Sequence, residues 1–146
     1  MADLAQRVDA ELENLGNALK RLPTAQEIPA LSELELAGTA ALVSSFYNGL
    51  ENIVKQILRD RGLALPTGES WHKELIEMAF RERIISEKTR NGIREYSAFR
   101  HFFAHAYAFD IDPSQIGPLV TRLESVHEGF RKDCAAAVAD KRMPPP

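Results

Sequence analysis

A single cysteine, Cys134, leaves the chain no partner for an internal disulfide. This excludes a cross-linked secreted scaffold and fits a reducing cytoplasm. No apolar run approaches the roughly 20 residues that a membrane span needs, so no membrane role is expected. The first residues, Ala2-Asp3-Leu4-Ala5-Gln6-Arg7, are polar with helical periodicity and do not read as a secretory leader. The expected location is the cytoplasm. An excess of positive charge is also missing: the formal net charge is −3, which argues against a surface built to grip duplex DNA. Strand signals are scarce. Alternating runs are short, and Asn48-Gly49 and Asn91-Gly92 lie inside helical periodicity, not between β-branched segments. No internal repeat, Gly-rich phosphate loop, Gly-x-Ser-x-Gly elbow or His-Glu-x-x-His is present, so several common enzyme signatures are absent.

What is present is helical. The balance of 45% hydrophobic and 27% charged residues over 146 positions suits one globular domain with a real core. That domain is expected over residues 1–142, followed by a disordered Pro-rich tail at 143–146. Leu4, Val8, Leu12, Leu15, Leu19 and Leu22 recur at helical spacing, and Pro23 ends that first helix or follows its end. Ser32 with Glu35 reads as a capping box for a long second helix. Leu36, Val43, Leu50 and Ile57 are spaced by sevens along it, and it stops near Gly62. A loop with Pro66 and Gly68 leads to a short third helix, for which Ser70 is the candidate cap. Ser86 and Glu87 start a fourth helix that is expected to run to about Phe109, with Gly92 as its weak point. Asp112-Pro113-Ser114-Gln115 combines an N-cap, a proline at the first helical position and a reciprocal glutamine. Pro118 falls in the first turns of this fifth helix, so a start a few residues later is an alternative. The expectation is an all-α bundle of four to five helices, with the second and fourth as its central pair.

One stretch of the fourth helix stands out, Arg100-His101-Phe102-Phe103-Ala104-His105-Ala106-Tyr107. At roughly 100° per residue, Arg100, His101, Ala104, His105 and Ala108 share one arc, while Phe102, Phe103, Ala106 and Phe109 fill the opposite one. Tyr107 falls two turns beyond Arg100 on the first side. One face is core; the other carries a cation, two imidazoles and a phenol with only alanines between them. Residues 81–100 hold six Lys/Arg against three acids, and residues 1–40 hold three against seven, so positive charge gathers just ahead of this stretch. A solvated helix face explains the same pattern equally well.

The spacing Arg100-x4-His105-x-Tyr107 resembles the signature of HEPN-domain ribonucleases, in particular HepT-like toxins. Two further stretches are similar to the same family, Ser45-Phe46-Tyr47-Asn48-Gly49-Leu50-Glu51-Asn52-Ile53 and Gly68-Glu69-Ser70-Trp71-His72-Lys73-Glu74-Leu75, so the resemblance spans about residues 36–125. It implies a HEPN-type bundle acting as a metal-independent RNA endonuclease without a cofactor, the toxin of a toxin–antitoxin pair. Arg100 and His105 would be catalytic. The 2′-hydroxyl of RNA is the nucleophile, so the enzyme needs a base near neutral pH, which imidazole supplies, and a cation for the phosphorus oxygens. Roughly 140° apart on one helix, the two residues hold a single substrate awkwardly. Two copies across a two-fold axis, as the family assembles, would line one cleft with two of each. The products would be a 2′,3′-cyclic phosphate and a 5′-hydroxyl. Structural roles, an arginine bonded to helix carbonyls and a core histidine, compete with this reading.

His101 and Tyr107 would support the site. In some members of the family the matching tyrosine accepts AMP from a partner minimal nucleotidyltransferase, the antitoxin, which makes Tyr107 the candidate modification site; a ring that simply packs is its alternative. Tyr47, Asn48 and Glu51 lie within one turn and are candidates for the cleft, although Tyr47 equally suits the core. Trp71-His72 opens a helix after a loop, as a lid or, more in keeping with its composition, a packing anchor. His101 and His105 have metal-ligand spacing, but His72, Asp110, His127 and Cys134 add no recognisable ligand pattern, so no metal is expected. A rival function is a non-catalytic HEPN module that binds a nucleotide or presents substrate to a nucleotidyltransferase; another is a purely structural helical partner.

Overall fold

The computed structural model describes residues 3–106 and 110–140. Five α-helices occupy them: α1 (Leu4–Leu19), α2 (Glu33–Asp60), α3 (Trp71–Arg81), α4 (Glu87–His105) and α5 (Pro113–Ala139), with a 3-10 turn at Ile28–Ala30. No strand occurs among the described residues, and no described helix is long and apolar enough to cross a membrane. The tail expected at 143–146 lies outside the described residues.

Local chemistry sets most boundaries. Asp3 and Gln6 form a capping box that starts α1, each side chain bonding the other's backbone N–H at 2.8 and 3.1 Å. Ser32 and Glu35 do the same for α2 at 3.1 and 3.0 Å. α2 ends at Asp60, and Gly62 then takes φ 76°, a left-handed turn that glycine adopts without a Cβ clash. Ser86 caps α4 by accepting from the Thr89 N–H, and Asp112 caps α5 by accepting from the Ser114 N–H. α5 starts at Pro113 as its capping residues require, so Pro118 sits inside the helix and does not displace its start. Three expectations change. The reciprocal bond expected from Gln115 at the start of α5 does not form: Asp112 accepts from the Ser114 N–H, with no capping box. Ser70 occupies the cap position of α3 without making a cap hydrogen bond. α4 stops at His105, with Ala106 already extended at φ −97° and ψ 155°, short of the expected end near Phe109.

The heptad residues Leu36, Val43, Leu50 and Ile57 of α2 are all buried, and Phe46, Tyr47, Ile53, Val54 and Leu58 join them. This is burial on more than one stripe, because α2 packs against α1, α3, α4 and α5. α4 lies beside it, contacting α2, α3 and α5. Gly92 does not break α4; it sits where a Cβ would come within 3.2 Å of Val126 on α5. Tyr96 of α4 donates its hydroxyl to the Leu119 carbonyl of α5 at 2.6 Å, which fixes α4 against α5 from a buried position. α3 closes the far side of α4. Its C-terminus places Arg83 at φ 60°, with Ile84 N–H on the Ala79 carbonyl and Arg83 N–H on the Phe80 carbonyl, the paired bonds of a Schellman ending. That turn brings α3 and α4 together as neighbours. Cys134 is buried within this core, and burial raises its thiol well above the usual range, so it packs as a protonated side chain.

Candidate active site

The split of α4 into two faces is present in three dimensions. Phe99 is buried, Phe102 and Phe103 pack partly buried against the core, and Phe99 stacks on Phe103 with centroids 6.2 Å apart. His101, Ala104 and His105 are exposed on the other side, with Arg100 half-buried at its edge. Tyr107, Ala108 and Phe109 lie outside the described residues, and so do both roles expected of Tyr107. Its alignment two turns beyond Arg100 required a helix that continues past His105, which α4 does not do.

Arg100 turns inward. Its Nε–H donates to Asn48 Oδ1 on α2 at 3.1 Å, and its Nη1 lies 3.2 Å from His72 Nε2 on α3. A guanidinium only donates, so Nε2 must be the acceptor and the His72 proton must be on Nδ1. Nδ1 lies 2.6 Å from Glu51 Oε2 on α2, where its N–H meets a carboxylate that is only 3% exposed. Asn48 and Glu51 are three apart on one helix face. Four side chains from three helices are thus joined in the order Glu51, His72, Arg100, Asn48. The competing structural role, an arginine bonded to helix carbonyls, describes Arg61, which donates to the Glu82 and Ala137 carbonyls at 2.6 and 3.3 Å. It does not describe Arg100.

Charge distinguishes Arg100 from its neighbours. Arg94 donates to Glu77 at 3.0 Å and Arg90 lies 3.5 Å from the same carboxylate; the Arg94 hydrogen bond leads in holding Glu77 below the usual carboxylate range. Arg100 makes no ion pair among the described residues. Its partners are an amide oxygen and a neutral imidazole, so its charge is left uncancelled. It faces a groove of about 800 Å³ between α3 and α4, lined also by His72, Lys73, Arg94, Ser97 and His101, with Glu69 and Glu77 at its acidic side. Tyr47 is fully buried below. Its hydroxyl lies beside Ser97 and Glu51 yet meets hydrogen-bond geometry with neither, and burial drives its pKa well above the ordinary phenol value. Tyr47 is therefore a core residue that stays protonated and serves as no base.

His105 has a different environment. It is exposed on the last turn of α4, its ring 4.8 Å from that of His101 and its Nδ1 2.9 Å from the His101 carbonyl. The carbonyl only accepts, so Nδ1 carries a proton, the lone pair of the neutral ring is on Nε2, and Nε2 has no hydrogen-bond partner among the described residues. No hydrogen bond joins His105 to Arg100. Among the described residues no three His, Cys, Asp or Glu side chains converge as a metal site would require.

Among the expected site residues, then, the fold brings Arg100, Asn48 and Glu51 together, leaves His101 and His105 outward, and buries Tyr47. His72 was missing from that set. It sits 21 residues from Glu51 and 28 from Arg100 on a separate helix, so no periodicity connects them. Its only sequence signal was its place beside Trp71 after a loop. Trp71 does anchor it: the two rings lie 3.5 Å apart, and Lys55 Nζ stands 4.2 Å over the indole. A family model described as "HepT-like protein" matches residues 38–140, a span that holds Glu51, His72, Arg100 and His105. No curated protein and no solved structure matches the chain.

Proposed function

This chain belongs to the HepT-like family, and from that premise we propose that it is a metal-independent RNA endonuclease, the toxin of a toxin–antitoxin pair, with its site in a homodimer cleft. The observation that carries the reading is the charge of Arg100, unpaired among the described residues and held at the edge of a groove, on the same helix as an exposed imidazole whose Nε2 has no partner among them. In the proposed reaction His105 Nε2 takes the proton of the 2′-hydroxyl, and that oxygen attacks the adjacent phosphorus. Arg100 donates to the non-bridging oxygens as charge gathers there. The bond to the 5′-oxygen breaks, and the leaving oxygen takes its proton from a second imidazolium. In the dimer that group is His105 of the other copy, which explains why one protomer with its imidazole turned outward suffices as half of a site. The products are a 2′,3′-cyclic phosphate and a 5′-hydroxyl. His101, beside the groove, contacts RNA or steadies His105.

The proposed partner is a minimal nucleotidyltransferase encoded alongside, which attaches AMP to Tyr107, two residues past His105. The added phosphate would compete with RNA for Arg100. Intact-mass and peptide mass spectrometry after co-expression checks this; silencing with an unmodified Tyr107 would mean that the antitoxin works by occlusion.

End-labelled single-stranded RNA, incubated with the purified protein with and without EDTA, tests the activity. Cleavage that survives EDTA and leaves a cyclic phosphate is the expected result. Cleavage lost in EDTA would assign a metalloenzyme, and tight binding without cleavage would assign the non-catalytic HEPN module.

A further inference from the structure

We propose that Glu51 and His72 are positioning residues that hold the Arg100 guanidinium at the groove without cancelling its charge. The inference rests on the reading of Arg100 as the phosphate-binding group.

Three observations lead to it. Arg100 is tied at two different nitrogens to acceptors on two different helices, Asn48 on α2 and His72 on α3, so both the tilt and the plane of the guanidinium are set. Two of the five N–H groups are used in this way, and three have no partner among the described residues. Both acceptors are neutral. A carboxylate in either place would orient Arg100 as well but would pair with it, as Glu77 pairs with Arg94. The chain does place a carboxylate nearby, the buried Glu51, with an imidazole between it and the guanidinium. Glu51 accepts from Nδ1–H, which keeps the lone pair on Nε2, the only arrangement in which His72 can accept from an arginine. The imidazole thereby passes on orientation from a rigid, buried group while separating the two opposite charges. Trp71, its ring tilted by 30° against that of His72 at 3.5 Å, adds a second constraint on the imidazole.

The test uses the full chain and reads both RNA cleavage and the Arg100 Nη–H signals by NMR. His72→Ala removes the acceptor, and a phosphate-binding group left loose by about an ångström should lower kcat about 100-fold with little change in KM. His72→Gln offers Arg100 an amide oxygen but transfers no proton. It should recover about tenfold of that loss and keep the wild-type pH profile, because a positioning group is not titrated in turnover. The Nη1–H of Arg100 that bonds His72 should exchange slowly in the wild type, about tenfold or more faster in His72→Ala, and slowly again in His72→Gln. Since His72→Ala strands the buried Glu51 carboxylate, the double variant Glu51→Gln/His72→Ala provides the same reading without that charge. Wild-type kcat and Nη1–H exchange in either alanine variant would overturn the proposal. So would His72→Gln as inactive as His72→Ala in a folded protein, since His72 would then be moving protons itself. Arg100→Ala separates the two levels: if it keeps full activity, the reading of Arg100 fails; if it is inactive while the His72 variants behave as wild type, only the positioning role fails. The exchange measurement stands whether or not RNA is the substrate.

Discussion

Arg100 and His105 belong to the same helix, five positions apart, yet they are held in opposite ways. Arg100 is half-buried and bonded to side chains from α2 and α3, with a buried carboxylate behind one of them. His105 is exposed and, among the described residues, bonded only to a carbonyl of its own helix. The cation is therefore oriented by one protomer before any ligand arrives, while the imidazole is held at one nitrogen and left open at the other. A group that must bind developing charge gains from being fixed in advance, because reorienting dipoles in the transition state costs free energy. A group that must exchange protons with two different oxygens needs access. The open end is also where a second copy of the chain is proposed to complete the site.

The sharpest way to break this comparison is to delete its two ends. His105→Ala and Arg100→Ala should each lower RNA cleavage by about 10³-fold or more, with the helical circular dichroism spectrum unchanged. Arg100→Lys should recover little, since a single ammonium cannot hold Asn48 and His72 in one plane and still present donors to phosphate. Retained cleavage in His105→Ala would remove the proposed base. Next in size is Ala104→Glu on the exposed face between them. A carboxylate there repels phosphate and crowds the proposed dimer cleft, so cleavage should drop about 10- to 100-fold without loss of fold. Sedimentation should find the wild type dimeric; a fully active monomer at micromolar concentration would rule out the shared site. Asn48→Ala removes one of the two ties on Arg100 and leaves the His72 tie in place, so a loss of about tenfold is expected, visible in kcat.

The smallest effect is expected from Tyr47→Phe, beneath the fixed end. Its buried hydroxyl has no hydrogen bond, so removing it should leave cleavage unchanged and stabilise the fold by up to about 1 kcal/mol. The pH dependence has a definite sign. Burial raises the folded-state pKa of Tyr47 well above the ordinary phenol value of about 10, and Tyr96 is pushed up to about 12 by burial as well. A raised folded pKa means that the folded state holds its proton longer than the unfolded chain. The stability from the protonated phenol is complete below about pH 10 and is lost as pH climbs above it. Alkaline unfolding monitored by circular dichroism should therefore be shallower in Tyr47→Phe than in the wild type. Equal slopes would show that Tyr47 does not titrate in that range.

Much of the bundle was legible in the chain because it is built from contacts within one turn. Ser32 with Glu35, Ser86 ahead of Glu87, and Asp112 before Pro113 each bond a backbone group two or three residues away, and all three start helices where their local chemistry requires. The sevenfold spacing of Leu36, Val43, Leu50 and Ile57 likewise pointed to a buried seam. The misses are also local in kind. Ser70 is at the right position but its backbone, at ψ 17°, is not in the extended conformation from which a serine side chain reaches the helix N–H groups. The expected end of α4 near Phe109 lies too far along because alanine and phenylalanine continue the helical pattern of the sequence, whereas the chain leaves the helix at the extended Ala106.

By itself, then, the sequence determined the helices, their apolar faces, and the Arg-x4-His stretch with the family to which it points. Periodicity and capping act over one to seven residues, so the code for them is contiguous and can be read without coordinates. Only the tertiary structure decided what surrounds Arg100. Asn48 reaches it across 52 residues and His72 across 28, and His72 meets Glu51 across 21. Those distances close because α2, α3 and α4 bury their apolar faces against one another, and that packing has no preference among the polar residues it happens to bring together. It made Glu51, one acid among many in the sequence, a buried acceptor, and made His72, read as a packing residue, the link between that acid and the arginine.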